Sequence, residues 1–325
     1  EKQVGGLKMR VLVTGGCGFI GSSIVDELLK KGHDVTVIDN LSSGRRENLD
    51  PRAHLFVADI RSSEIDEIFK RTRPQILYHQ AAQVDVQRSI SQPEFDADVN
   101  IIGTLRVLNC CKNYAVRKII FASSAAVYGQ PQHLGINELH TIEPISFYGI
   151  SKYTVERYIE NFCPMHQIEY TILRYANVYG ERQGSKGEGG VVSVFLKNML
   201  TCKDINVYGD GEQTRDFIYV RDVAKANIAV LHGGNGQVFN IGTNSSASIN
   251  KLYKFMKSYT NYQKEPIYCP KRQGDIEHSY LDNSKALNLL DWQPEFTLEE
   301  GLKETIINYV GGSQYYACCT GDEEE

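Results

Sequence analysis

The chain has 325 residues, room for one large domain or for two that share an interface. With 42% hydrophobic and 23% charged residues it has ordinary globular composition, which excludes a disordered chain, a collagen or a coiled coil. The formal net charge of −5 offers no basic surplus, so nucleic acid is not an expected partner, and no apolar run reaches the roughly 18–20 residues of a membrane span.

The first strand pattern begins at Met9. Residues 1–8 have no apolar core of the signal-peptide kind and read as an extension of a cytoplasmic protein. Strands are expected over residues 9–14, 34–39, 54–58, 75–79, 118–123 and 169–175. Their centres (VLV, VTVI, LFV, ILY, IIFA, YTIL) are continuously apolar, as in strands buried between helices on both sheet faces. Helical patterns fill the gaps at 19–31, 64–71, 97–114 and 148–162. This alternation predicts an α/β fold, a doubly wound parallel sheet of the Rossmann type with right-handed crossovers. After Tyr175 the rhythm breaks, through a Gly-rich charged stretch at 181–190, into short elements expected to form a smaller, interleaved α/β domain. The expected division is 9–176 plus about 217–240 for the nucleotide domain, and about 177–216 plus 241–310 for the other. The polar tail 311–325 reads as a disordered end. Eight cysteines in no C-x-x-C pair and eight scattered histidines predict reduced thiols and no metal site.

Thr14-Gly15-Gly16-Cys17-Gly18-Phe19-Ile20-Gly21 follows the first strand and opens the first helix, the context a dinucleotide fingerprint demands. Gly15 permits the tight turn, Gly18 lets backbone approach a pyrophosphate, and Gly21 lets helix pack on strand. Phe19 and Ile20 then stand at a helix N-terminus whose N–H groups and dipole favour phosphate. Asp39, at the end of the second strand, is placed to accept hydrogen bonds from ribose hydroxyls and to repel a 2′-phosphate. Asn40 follows it rather than an arginine, so NAD is the expected cofactor, although Arg45 and Arg46 lie close by. Asp59 and Ile60 are placed to meet the adenine, with Asp59 equally suited to cap the next helix.

Tyr148 and Lys152 are four apart, on one face of one helix. An ammonium there favours the phenolate, which makes the tyrosine a general base. Tyr114/Lys118 and Tyr253/Lys257 share the spacing, but the first pair abuts a buried strand and the second is far from the fingerprint. Both read as structural. Ser124, at the end of the fifth strand, singles out Tyr148. Strand C-termini of an open parallel sheet face the ligand crevice, where a hydroxyl can bond the reacting oxygen.

With these motifs the chain resembles the extended short-chain dehydrogenases/reductases that act on nucleotide sugars, and among them the NAD-dependent sugar-nucleotide 4-epimerases. The likeness covers about residues 9–310: TGGCGFIG (14–21), HQAAQVDV (79–86), SSAAVYG (123–129), YGISK (148–152), LRYANVYG (173–180), VYGDGEQTRDFIYVRDV (207–223), FNIGT (239–243) and RQGD (272–275). The resemblance implies that Ala81, Asn100 and Tyr175 line the cofactor channel. It places Asn177 at the sugar diphosphate, Tyr208 at the uracil, Arg215 and Arg272 at the diphosphate, Asp275 at the uridine ribose, and Val192 also against the substrate.

It further implies oxidation of the sugar at C4 by NAD. Related 4,6-dehydratases carry Asp-Glu directly after the strand-five hydroxyl, and related decarboxylases a Glu before V-Y-G; here these positions are Ala125 and Ala126. The expected activity is therefore 4-epimerisation of UDP-glucose and UDP-galactose. A uronic-acid 4-epimerase, a dehydratase or decarboxylase, and a net NAD-dependent dehydrogenase stay open as alternatives. Ser279 falls where the family sets the room around C2, unless the register slips by one and Tyr280 takes that place. A serine leaves space for an N-acetyl group, so UDP-N-acetylglucosamine and UDP-N-acetylgalactosamine are expected substrates too. The family also implies a homodimer through helices 97–114 and 148–162, with Ile101, Ile102, Leu105, Val155 and Ile159 as candidate contacts.

Overall fold

The computed structural model describes residues 7–184, 190–271 and 276–311, so the expectations for Arg272, Asp275 and the tail beyond residue 311 lie outside the described residues. The first half runs β1 (Arg10–Thr14), α1 (Phe19–Lys30), β2 (Asp34–Asp39), β3 (His54–Val57), α2 (Glu64–Thr72), β4 (Ile76–His79), α3 (Val86–Ser91), α4 (Pro93–Ala97), α5 (Thr104–Asn113), β5 (Lys118–Ser124), α6 (Phe147–Met165) and β6 (Glu169–Tyr175). The second runs β7 (Asn177–Tyr179), α7 (Val191–Leu200), β8 (Asn206–Tyr208), β9 (Thr214–Arg215), β10 (Phe217–Tyr219), α8 (Val220–Ala229), β11 (Gln237–Ile241), β12 (Ala247–Ser248), α9 (Ile249–Tyr259), β13 (Ile267–Cys269), α10 (Ser284–Leu290) and α11 (Leu298–Gly311).

Seven parallel strands form the main sheet in the order β11-β6-β5-β4-β1-β2-β3. The order reverses between β1 and β4, which opens a crevice at the carboxyl ends of those strands. The continuously apolar runs follow from burial on both faces. Val11 and Val13 of β1 pack into the cluster with α1 and α8, while Leu12 points into the opposite one with α2, α5 and α6. β3 departs from the expectation of a buried strand: as the sheet edge it leaves Leu55 and Phe56 half-buried and Val57 exposed. After β6 the chain builds a third apolar cluster from α7, α9, α11, β8 and β10. It then returns as β11 beside β6, Gln237 opposite Thr171 and Ile241 opposite Tyr175.

The helix expected over 97–114 is interrupted. α4 passes into a π-helical turn at Asp98–Gly103 before α5 begins, a widening that recurs at functional sites. Val155 and Ile159, expected at a subunit contact, are instead core residues, because α6 lies directly on the sheet; Ile101 and Leu105 pack half-buried on the same core. Ile102 is exposed, together with Ile90, Ile150 and Tyr158. The reading of eight reduced thiols also needs correction. Cys17, Cys110, Cys111, Cys163 and Cys269 are free, but Cys202 is disulfide-bonded. Adjacency in sequence argues only against pairing between neighbours and leaves longer closures open. Among the described residues no helix is long and apolar enough to cross a membrane.

Candidate active site

A cavity of 2550 Å³ opens above the carboxyl ends of the central strands and runs on into the second half of the chain. Ordinary ligand pockets measure about 300–1,000 Å³, so this one has room for two nucleotide-sized molecules. Its floor is the glycine turn. Gly15 holds φ at 70° and donates its N–H to the Ile38 carbonyl at 2.8 Å; a Cβ there would stand 2.7 Å from the Ala81 nitrogen. A Cβ on Gly21 would stand 2.1 Å from the Gly15 carbonyl oxygen, so strand and helix approach this closely only with glycine at both positions. Helix α1 opens at Gly18 with no side-chain cap and no acidic residue in its first turn, and Gly18, Phe19, Ile20 and Gly21 line the cavity. Unclaimed N–H groups and a positive dipole end suit a pyrophosphate.

Beyond the turn the cavity continues past the ends of β2 and β3. Asp39 is buried, accepts from the Cys17 N–H at 2.9 Å and the Leu41 N–H at 2.8 Å, and has its pKa raised by that burial. Asp59 does not cap α2, whose first turn follows Ser63 without a side-chain cap. Its carboxylate accepts a fork from Arg61 (2.9 and 2.8 Å) and one bond from Asn40 (2.8 Å), and the Arg61 bonds hold it well below the usual carboxylate range. Asp39, Asn40, Asp59, Ile60 and Arg61 all reach the cavity wall. The residues present fit NAD.

The catalytic candidates meet further along. Ser146 caps α6 by accepting from the Gly149 N–H at 3.1 Å. Gly149 lies so close to the turn after β5 that a Cβ would be 2.5 Å from the Ala126 carbonyl oxygen. This contact draws Tyr148 to the side of Ser124, and both line the cavity with Lys152. The Ser124 hydroxyl accepts from the Ala126 N–H at 3.2 Å, which leaves its proton to be directed at a substrate oxygen. Lys152 donates to the Ala122 carbonyl at 2.8 Å, with its nitrogen 5.9 Å from the centre of the Tyr148 ring. Burial pulls its pKa down to about 8, against the opposing influence of Asp96 and Glu156.

Two buried networks that the sequence did not announce brace this group. Glu156, one turn beyond Lys152, accepts from the Ser123 hydroxyl at 2.5 Å and from two Arg174 nitrogens at 3.0 and 2.6 Å. It thereby fixes α6 to the ends of β5 and β6. His79 bridges the Thr14 hydroxyl at 2.7 Å and the Thr104 hydroxyl at 2.8 Å, and burial lowers its pKa to about 3, so it stays neutral.

Ala81, Tyr175, Asn177, Arg215 and Ser279 reach the cavity, and so does Tyr280. Burial raises the Tyr175 hydroxyl to about 12, and it bonds Asn227 and Gln80. Three other expected residues do not line this cavity. Asn100 stands behind the wall, its side chain spent on Gln83, Asp96 and Ser151. Val192 turns into the core beside Phe195 and Leu196, and Ser193 and Lys197 of α7 face the cavity in its place. Tyr208 lies outside the lining, on β8 paired with β13. The four-residue spacing of Ser193 and Lys197 was the available signal for the true face of α7.

A glycine-cradled dinucleotide site beside a Ser–Tyr–Lys group defines a nucleotide-dependent enzyme of the short-chain dehydrogenase/reductase class. Residues 11–242 match the model of the NAD dependent epimerase/dehydratase family, and the chain belongs to that family. It is 46% identical over 301 residues to a putative UDP-glucose 4-epimerase of Methanocaldococcus jannaschii, covering 92% of this chain and 98% of the relative. A solved UDP-glucose 4-epimerase of Thermotoga maritima, with UDP-glucose, aligns at TM-score 0.91 and 45% identity over 93% of this chain and 99% of the other. One from Thermus thermophilus, in complex with NAD, aligns at 0.90 and 36% over 94% and 100%.

Proposed function

We propose that this protein is a 4-epimerase of UDP-hexoses, interconverting UDP-glucose and UDP-galactose and also accepting their N-acetyl counterparts, with NAD retained through each turnover. One observation carries the reading: Ser124, Tyr148 and Lys152 share one cavity wall, while the positions after Ser124 are two alanines. Elimination of water needs a further proton donor or acceptor beside the sugar, and two methyl groups offer none.

Bound NAD would supply the acceptor and then the donor of the C4 hydride. Tyr148 takes the proton of the C4 hydroxyl, and the Lys152 ammonium stabilises the resulting phenolate. Ser124 donates to the same oxygen and holds it in line as the carbonyl forms. Asn177 and Arg215, with Arg272 and Asp275 by family likeness, keep the nucleotide and diphosphate in place while the 4-keto sugar turns about its linkage. Tyr148 then returns the proton to the C4 oxygen, with the opposite face of C4 now turned towards the hydride donor. Gly15, Gly18, Gly21 and Asp39 hold the cofactor, and Ser279 leaves room at C2.

We infer a cytoplasmic homodimer built on the face that carries Ile102, Ile150 and Tyr158, and the two-part division of domains stated above. The test of function is incubation of the NAD-loaded enzyme with UDP-glucose, UDP-N-acetylglucosamine and UDP-glucuronate. The expected result is conversion of the first two to their 4-epimers without net NADH. Stoichiometric NADH release, a 4-keto-6-deoxy sugar or a pentose would overturn it.

A further inference from the structure

Between β9 and β10 lies a carboxylate that the reaction does not use. Asp216 is 2% exposed. One of its oxygens accepts from the Thr243 N–H at 2.9 Å and from the Thr243 hydroxyl at 2.7 Å. The other accepts from the Leu281 N–H at 3.1 Å and shares the Thr243 N–H at 3.1 Å. The Asp216 carbonyl in turn accepts from the Asn177 N–H at 2.9 Å and from its side-chain nitrogen at 3.3 Å. The turn before Thr243 passes so near that a Cβ on Gly242 would lie 2.4 Å from the carboxylate.

These partners belong to three separate stretches of chain that meet where Asn177, Asp216, Ser279, Tyr280 and Leu281 line the cavity: β7, the turn after β11, and the run that follows Ser279 and Tyr280. That last run is not part of a regular sheet. Its backbone is tied at Thr214, which accepts from the Ser279 N–H at 3.2 Å, and at Tyr280, whose carbonyl accepts from the Ile136 N–H at 3.0 Å. Asp216 adds a side-chain tie at Leu281. A direct ligand role suits it poorly, because an anion would face a diphosphate and its lone pairs already point at protein donors. A buried carboxylate that gathers donors from three segments fixes their mutual spacing instead.

Resting on the reading of this end of the cavity as the sugar-nucleotide site, we propose that Asp216 is a positioning residue that sets the width of the sugar pocket, by holding the 279–281 wall against Asn177 and the turn at 242–243. Asp216→Asn keeps the size but sets an amide NH2 against one of the N–H donors, so one tie is lost. In the NAD-loaded enzyme the KM for UDP-glucose should rise about tenfold or more while kcat stays within about threefold. NAD content should not change, and amide exchange at 279–281 should quicken at least about tenfold with β1–β5 unaffected. Thr243→Val removes only the hydroxyl and should move the same quantities by a smaller factor, which keeps the proposal testable if Asp216→Asn does not fold. Unchanged KM and unchanged exchange at 279–281 would overturn it, and so would a joint fall of kcat, NAD content and exchange protection throughout the chain. If the wild type turned over no UDP-sugar, the proposed activity would fail, and the exchange comparison would still decide the role of Asp216.

Discussion

Replacing Lys152 by methionine removes an ammonium from an enclosed position while keeping most of the side-chain volume. Burial has lowered its pKa from 10.5 to about 8. At about 1.4 kcal/mol for each pH unit, this sets roughly 3 kcal/mol against the charged form in the folded protein at pH 7. The thioether forfeits the 2.8 Å bond to the Ala122 carbonyl, and an unmet buried acceptor costs about 1–3 kcal/mol. Lys152→Met should therefore be more stable than wild type by about 1–2 kcal/mol at pH 7, a rise in Tm of roughly 2–4 °C. On the proposed mechanism turnover should fall ~10²–10⁴-fold, because Tyr148 loses the ammonium that would favour its phenolate. The pH dependence follows from the depressed pKa. The cost of the charged lysine is full below pH 8 and vanishes as pH climbs from about 8 towards 10.5, so the Tm gap closes over that window. Calorimetry of both proteins with excess NAD at pH 7 and about pH 9.5, beside an assay with UDP-galactose, measures all of this. A variant less stable than wild type at pH 7, with a gap indifferent to pH, would refute the burial argument.

Tyr148→Phe should lower kcat ~10²–10⁴-fold with the fold and UDP binding intact; more than a tenth of the wild-type rate would remove Tyr148 from its role. Ser279→Tyr should suppress turnover of UDP-N-acetylglucosamine and spare UDP-glucose, since overfilling a packed pocket costs ~1–3 kcal/mol. Equal loss on both sugars would mean that another residue, such as Tyr280, limits the pocket. Ile150→Asp should convert a dimer into a monomer by light scattering at micromolar concentration, and a wild type that is itself a monomer ends that proposal.

Much of the site was legible because its signals are local. The turn at Gly15, the acid at the end of β2 and the Tyr148/Lys152 spacing each depend on a few neighbouring residues, and the parallel sheet announces itself in runs such as VLV and IIFA. What stayed hidden depends on phase or on distant partners. Asn100 sits in a π-helical turn, and its bonds to Gln83, Asp96 and Ser151 join residues up to 51 positions apart. Val192 packs in the core while Ser193, about a quarter of a helical turn away, lines the cavity. Glu156 and Arg174 look like ordinary surface charges in sequence; only the packing of α6 on β6 buries them as a pair, with side chains 1% and 6% exposed. Asp216 draws its partners from residues as far ahead as Leu281, beyond the reach of any short pattern.

The return of β11 to the side of β6 has a consequence during synthesis. Tyr175 ends β6, and the strand that will cover its open edge begins only at Gln237, with the whole of β7 to α8 made in between. At about 5–20 residues per second, the edge of β6 waits roughly 3–12 s for its partner on the ribosome. Through that interval an apolar strand, with Ile172 and Leu173 at its centre, presents unpaired N–H and C=O groups to whatever lies nearby. The nascent chain is most open to misassociation in this stretch, and a folding assistant that shields strand edges would act between the emergence of β6 and that of β11.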